Sequence, residues 1–344
     1  MYQQWINPVD LYLPLLASPY PQVRQQACLI LLGTFGDRAL TYLRRLSEAA
    51  DPQVRQDARL AQLALVEATG RELKIQRFRG MYVECMGQLR VYISNKEMRD
   101  SDWTQAEGGR AGRRKVQAAL AYLIHCGRRG SNREELGAAI WEGKFSASSL
   151  SRTLSTLRQA LDRYANGTFA LERALVIEDD YCMLDPDCYH TDVMFFEQAF
   201  ALATRIEQEQ GLDAAAPAYT NTLQLYFGPY MAEVSGSAKW SRSRRDYLMN
   251  SFVIAVERLA EHAYSRGLYG QCIEVCSLAL DADPAADEIA AWRLRAYAAA
   301  MRYAELEHAY RSYLRAARLD VLSDAAQQDM VVQLYQSLRR APAR

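Results

Sequence analysis

Two internal repeats with different periods bracket this chain, which restricts it to a helical array at each end with something non-repetitive between them. Near the N-terminus, Pro21-Gln22-Val23-Arg24-Gln25-x-Ala27 returns 31 residues later as Pro52-Gln53-Val54-Arg55-Gln56-x-Ala58. Each copy opens on proline, whose missing N–H costs nothing in a first helical turn, and runs into an apolar helical stripe such as Val23, Ala27, Ile30 and Leu31. Gly33-Thr34-Phe35-Gly36-Asp37 stops and restarts the chain, and Ala39 to Ala49 reads as the second helix of a pair. Towards the C-terminus, Leu259, Ala260, Ala263, Gly267, Tyr269, Ala279, Asp283 and Pro284 mark another helical hairpin. A shift of 34 residues carries Tyr269 onto Tyr303, Cys272 onto Leu306 and Cys276 onto Tyr310, so a degenerate second copy follows.

The first repeat resembles the short class of HEAT-like unit and the second a tetratricopeptide (TPR) unit. Such units bury their faces only by stacking, and two copies at the N-terminus must lean on a neighbour; they read as packing rather than as a binding surface. Between the arrays the period changes. Met81 to Met86 and Leu89 to Ile93 read as short strands around Gly87. A polar loop with Gly108, Gly109 and Gly112 leads into three helices: Arg114 to Cys126, with the apolar face Val116, Ala119, Leu120 and Leu123; Asn132 to Trp141; and Ala147 to Tyr164. Ser131-Asn132-Arg133-Glu134 reads as a capping box for the second helix. After Asn166-Gly167, Phe169 to Ile177 and Tyr181 to Leu184 form a closing hairpin, and from Thr191 the chain reads as helical to its end.

The formal net charge is zero, yet residues 110–165 hold eleven Arg or Lys against four acids, and residues 166–190 hold one Arg against six acids. A localised positive block is what a phosphate-binding face requires. The third helix has the pattern of a groove reader. Leu150, Leu154, Leu157 and Leu161 form one buried stripe, and the opposite face carries Ser148, Arg152, Ser155, Thr156, Gln159 and Arg163. Arg can pair with guanine, Gln with adenine, and Ser or Thr with base edges or phosphate; a plain solvated face would carry the same residue types. Arg113, Arg114 and Lys115 at the start of the first helix, and Arg128 with Arg129 before the second, are read as phosphate contacts. Basic residues at a helix N-terminus oppose its dipole, which a phosphate partner would offset. Arg158, nearer the core boundary, is read either as a DNA contact or as an internal hydrogen-bonding residue.

Seven scattered cysteines, an odd number without a C-x-x-C pair, suit reduced, buried thiols and a cytoplasmic protein. Cys272 and Cys276 lack further ligands for a metal, and neither a signal peptide nor a membrane span is legible. Gly143-Lys144 is followed by Phe145, and Ala138 stands where a phosphate-binding loop needs glycine. His125, His190, His262 and His308 are far apart, and Trp141, Trp240 and the C-terminal tyrosines sit at packing positions. The reading is no enzyme, no cofactor and no metal.

Taken together, Arg113-Arg114-Lys115, Asn132 to Leu136 with Trp141, Leu154-x-x-Leu157-Arg158-x-x-Leu161, Tyr181 to Asp185, Asp192-Val193-x-x-Phe196-Glu197, and Leu225 to Pro229 with Trp240 and Arg244 resemble the SARP-type bacterial activators over residues 78–338. That resemblance implies a mostly α multidomain chain. Behind the HEAT-like α-hairpins read from the repeat over 1–72, it implies an OmpR-like winged helix-turn-helix (α+β) DNA-binding domain over 78–190 and a TPR-like α-helical bacterial transcriptional activator domain over 191–344. It further implies binding to repeated promoter elements in double-stranded DNA, contact with RNA polymerase, and protomers side by side as a homo-oligomer. Two features depart from the family pattern: helical repeats precede the winged helix, and the hairpin tip is acidic, Glu178-Asp179-Asp180. The alternative is a protein-interaction scaffold whose winged helix no longer binds DNA.

Overall fold

The computed structural model describes residues 81–340 apart from 94–95, 104–111, 144, 166–172 and 321–322, together with Leu15, Ala27, Ile30, Leu31, Leu43 and Ala58. Those six early residues are helical, and all but the half-buried Ile30 are buried. The rest of the HEAT-like repeats, Gly108, Gly109 and the segment from Asn166 to Phe169 lie outside the described residues. The chain forms two compact units, Met1–Gln198 with Leu225–Leu248, and Ala199–Gln224 with Met249–Arg344.

In the first unit, β1 (Met81–Glu84) pairs antiparallel with β2 (Arg90–Ile93) in the register Tyr82↔Tyr92, and β2 pairs with the two-residue β3 (Lys96–Glu97). Met81 and Val83 are buried on one face of β1, while the Tyr82 ring meets those of Tyr92 and Phe195 at 6.0 and 5.9 Å. Next come α1 (Arg113–Cys126), β4 (Ser131–Asn132), α2 (Arg133–Trp141) and α3 (Ala147–Ala165). Helix α1 buries Val116, Ala119, Leu120 and Leu123, as the periodicity predicts, and Ala118, Ala121 and Ile124 besides, so it is enclosed on most sides. Hairpin β5 (Leu175–Glu178) and β6 (Tyr181–Leu184) closes the winged helix, with β6 also pairing to β4. Strand β7 (Tyr189–Thr191) then returns parallel to β1.

Three strands escape the sequence reading: β3 and β4 are too short to carry a period, and β7 hides in what reads as the lead into a helix. The capping assignment is corrected as well. Asn132, not Ser131, caps α2 by accepting from the Glu135 N–H at 2.7 Å. Ser131 is held in β4 opposite Cys182, and its hydroxyl turns to the Asn132 carbonyl.

Helix α4 (Asp192–Gln210) begins in the first unit. Asp192 is fully buried. Its Oδ1 accepts from the N–H groups of Cys85 and Val193, and its Oδ2 from that of Met86, all at 2.8 Å. Burial pushes its carboxyl up to about 7 against the pull of those three hydrogen bonds. The same turn receives residues 225–231. Met86 bridges Tyr230, the Met231 N–H donates to the Cys85 carbonyl at 2.7 Å, and the Gly87 N–H donates to Pro229 at 3.2 Å. Residues 225–236 are therefore not helical, contrary to the sequence reading: Gly228 has φ 135° and its neighbour is proline. Gly87 is required here because its φ is 77° and a Cβ would stand 3.0 Å from the Phe227 carbonyl oxygen.

The second unit holds α5 (Leu212–Gln224), the C-terminal part of α7 (Arg242–Ser265), α8 (Tyr269–Ala282), α9 (Asp287–Ala299), α10 (Tyr303–Ala317), the short α11 (Asp324–Gln328) and α12 (Met330–Arg340); the one-turn α6 (Ser237–Trp240) lies in the first. Helix α8 packs on α9, and α9 on α10 and α12. Tyr269 and Tyr303 each open a helix, and Cys272, Cys276, Leu306 and Tyr310 are all buried, so the 34-residue correspondence holds in three dimensions. It extends to the turns, where Gly267 at φ 72° corresponds to Met301 at φ 56°.

Two predictions follow from strained or buried positions. A left-handed backbone costs a side-chain-bearing residue about 1–2 kcal/mol, and glycine returns part of that relief as unfolded-state entropy. Met301→Gly therefore stabilises the second unit by about 0.5–1 kcal/mol, seen as a higher urea midpoint. For Asp192 the folded pKa lies above the unfolded one, so its contribution is complete below about pH 4 and is lost as pH rises through about 7. Asp192→Asn removes that part of the pH dependence, while placing an amide donor against a backbone N–H costs about 1–3 kcal/mol. Urea midpoints of both proteins from pH 4 to 8 check this; parallel profiles would refute the assignment.

Candidate nucleic-acid interface

The leucine stripe of α3 is buried as predicted, with Leu150, Leu154, Leu157 and Leu161 at most 1% exposed. Thr153 and Ala160 join them beneath the helix. The opposite face turns outward, with Ser148, Arg152, Ser155, Arg158, Gln159 and Arg163 exposed and Thr156 half-buried. Several of these groups are already engaged. The Thr156 hydroxyl donates to the Arg152 carbonyl at 2.9 Å. Arg163 reaches the carbonyls of Gln159 and Asp102, and Ser148 meets the Ser146 hydroxyl at 3.1 Å. Arg158 donates to the Leu175 carbonyl at 3.2 Å, so it ties α3 to the hairpin while its side chain stays exposed.

Beside this face runs a groove of about 320 Å³, edged by Arg133, Ser151, Ser155, Arg158, Gln159 and Asp162 over Leu154 and Ile177. Arg133, Ser151 and Asp162 are absent from the sequence-derived set. A signal for two of them existed: positions 151, 155, 158 and 162 recur at offsets of four, three and four, a second row alongside the first. Arg133 carries no such signal, because it lies on α2. Its guanidinium donates to the Ser151 hydroxyl at 2.7 Å, and its backbone N–H donates to the Asp180 carbonyl at 2.9 Å. One residue thus fastens α2 to both α3 and the hairpin tip. It also tempers the upward push of burial on the Cys182 thiol.

The predicted phosphate-contacting cations divide into three kinds. Among the described residues, the exposed Arg114 has no side-chain partner, and neither has the exposed Arg152 of the groove-reading face. Arg113 is ion-paired with Asp100, and Arg128 with Asp187 at 3.1 Å, the latter pair largely in solvent. The exposed Arg129 reaches the Cys126 thiol, and its carbonyl accepts from the Tyr181 hydroxyl. Lys115 departs from its expected role. Its ammonium donates to the Ile140 carbonyl at 2.7 Å and lies 5.6 Å from the centre of the Trp141 ring. A cation at the C-terminus of α2 satisfies an orphan carbonyl and meets the negative end of the helix dipole; Lys115 therefore joins α1 to α2.

The hairpin turn is two residues long, with Asp179 in the left-handed region at φ 47°, and Glu178, Asp179 and Asp180 are all exposed. Tyr181 is lodged against Gly130, where any Cβ would overlap its ring. On the far side of α1, Trp240 packs on Tyr122 and His125 at 5.3 and 4.9 Å, and burial holds the His125 imidazole below its ordinary pKa. Trp141 stacks on Phe145, whose ring fills the space over Gly137. Both tryptophans thus occupy packing positions, as the sequence suggests. Six described cysteines are buried free thiols, and no group of three His, Cys, Asp or Glu among the described residues could hold a metal ion. No described helix is long and apolar enough to cross a membrane.

Residues 191–339 match the bacterial transcriptional activator domain. No curated protein matches the chain. Among solved structures, Mycobacterium tuberculosis EmbR in complex with a low-affinity phosphopeptide shares the fold, with a TM-score of 0.57 and 18% identity over 77% of this chain. The aligned region is 66% of that protein, so this chain spans just under two thirds of its length. Residues 191–339 are thus similar to the bacterial transcriptional activator domain, and the chain shares its fold with the EmbR structure.

Proposed function

We propose that this protein is a cytoplasmic, sequence-specific DNA-binding regulator that activates transcription by seating α3 in the major groove of repeated promoter elements and contacting RNA polymerase. The observation that carries the reading is the division of α3 into a fully buried leucine stripe and an exposed edge with Arg152, Ser155, Arg158 and Gln159. That edge is anchored from below and from both sides, as a base-reading surface must be. In this reading Arg152 and Gln159 read base edges, with Ser155 beside them, while Arg114, Arg128, Arg129 and Arg113 meet phosphates and set register. Ser148, Thr156, Arg158 and Arg163 lie along the same surface, and Lys115 supports it from within. The functional divisions are 1–72 as helical support, 78–190 as DNA-binding domain and 191–344 as activator domain, and protomers bind side by side as a homo-oligomer. The chemistry is recognition without catalysis.

The acidic hairpin tip favours a second reading, a scaffold that binds protein partners and not DNA. A fluorescence titration with duplex DNA across salt separates the two, because each phosphate neutralised adds about 0.9 to the slope of log affinity on log salt. The regulator weakens steeply between about 50 and 200 mM salt; a scaffold binds at neither. Arg152→Ala costs about 1–3 kcal/mol on the preferred sequence and relaxes preference, whereas Arg114→Ala weakens all sequences alike and lowers the slope by about one. Lys115→Ala lowers the urea midpoint and leaves the salt slope unchanged. Equal binding by the Arg152→Ala and Arg114→Ala variants and the parent would show that the docking face is misassigned.

A further inference from the structure

The hairpin tip is not a loose loop whose charge can be swung aside. Pairing of β4 with β6 fixes Tyr181 opposite Asn132, the Tyr181 hydroxyl is held by the Arg129 carbonyl, and the Asp180 carbonyl takes the Arg133 N–H. Ile177, one residue before the tip, lines the α3 groove. Glu178, Asp179 and Asp180 are therefore held in solvent beside the groove, with Asp162 on its edge. On the neighbouring surface Asp187 occupies the Arg128 guanidinium, and Asp100 that of Arg113. A duplex carries one negative charge per about 1.7 Å of its axis, so each of these carboxylates opposes approach of the backbone, within a range of about 8 Å at physiological salt.

We infer that this acidic rim is a specificity filter: it suppresses non-specific attachment to phosphates, so that binding depends on the base contacts made by α3. The inference rests on the DNA-binding reading above. Non-specific binding comes almost entirely from phosphate neutralisation, whereas specific binding adds base contacts. Removing affinity from the first term while leaving the second raises the ratio between them. Asp187 contributes by competition, because Arg128 reaches a phosphate only by leaving its carboxylate. The hairpin acids contribute by repulsion from a fixed position.

The full-length chain and two variants are titrated at several salt concentrations with a random-sequence duplex and with a duplex selected by the protein from a random pool. One variant is Glu178→Gln/Asp179→Asn/Asp180→Asn; asparagine tolerates the left-handed backbone at 179, and the Asp180 bond is made by its main chain. The other is Asp187→Asn. The triple variant binds the random duplex about tenfold more tightly at 50 mM salt and gains less on the selected one, so its specificity ratio falls. Asp187→Asn steepens the salt slope by about 0.9, and adding Arg128→Ala abolishes that gain, which a purely structural role for Asp187 would not produce. If the parent binds DNA with a salt-dependent affinity that the triple variant leaves unchanged or lowers, the filter is refuted and the DNA-binding reading stands. If neither parent nor variants bind at any salt, both fall.

Discussion

A single buried carboxylate organises the first unit. Among the described residues no cation pairs with Asp192; its carboxyl is met by three main-chain N–H groups, two from the turn after β1 and one from its own helix. An unsatisfied carboxylate in such a place would be costly, and so would the amides left without it. The cheapest state closes the turn at Cys85-Met86 on the start of α4. With that turn fixed, its carbonyl and amide edge is presented to residues 229–231. Arg245 then clamps the carbonyls of Tyr230 and Met231, and Trp240 comes to rest on α1. Helix α1 in turn carries α2 through Lys115 and packs directly against α3. The outward edge of α3 thus stands at the end of a chain of contacts whose other end is the sheet.

Much of this is legible in the sequence because it is periodic. The leucines of α3 and the apolar face of α1 follow the helical repeat, and the 34-residue correspondence is legible even though Met301 stands where the first copy has Gly267, because the buried positions carry it. What stays hidden is pairwise. Lys115 looks like one of three adjacent basic residues, and nothing local reveals that it alone reaches a carbonyl 25 residues away. Asp192 reads as an ordinary acidic first-turn residue, since two of its three partners lie more than a hundred residues earlier. Strands of two or three residues, such as β4 and β7, carry no period and are stabilised wholly by what they pair with. Asn132 captures the cap from Ser131 for the same reason, because β4 has already claimed the serine.

The charges follow a similar division. A count by segment separates a basic block from an acidic one, and suggests a positive face with a discordant tip. The structure interleaves them, so that Asp187 of the acidic block neutralises Arg128 of the basic block, and the main chain of Asp180 is fixed by that of Arg133. Exposed ion pairs such as Arg128–Asp187 contribute little to stability, about 0–1 kcal/mol, so folding gives only a weak reason for their presence. Their consequence is for association, where each pair subtracts from the field presented to a polyanion.

The boundary between the two halves deserves a physical rather than a sequence definition. The activator domain matches from residue 191, yet residues 192–198 and 225–248 belong to the same compact unit as the winged helix. Those residues supply the carboxylate that holds the β1 turn, the segment that bridges Met86, and the tryptophan that covers Tyr122 and His125. Gly236, at φ 79°, approaches the Ala139 carbonyl so closely that a Cβ would stand 2.6 Å from it, which brings the same segment against the end of α2. A winged helix ending at residue 190 would lose all of these at once, exposing the apolar side of α1 and leaving the amides of Cys85 and Met86 without their acceptor. The stretch recognised as activator domain is therefore also the floor on which the proposed reading helix is built, and a perturbation of α4 or α7, each of which starts in that floor, has a covalent route to α3's supports.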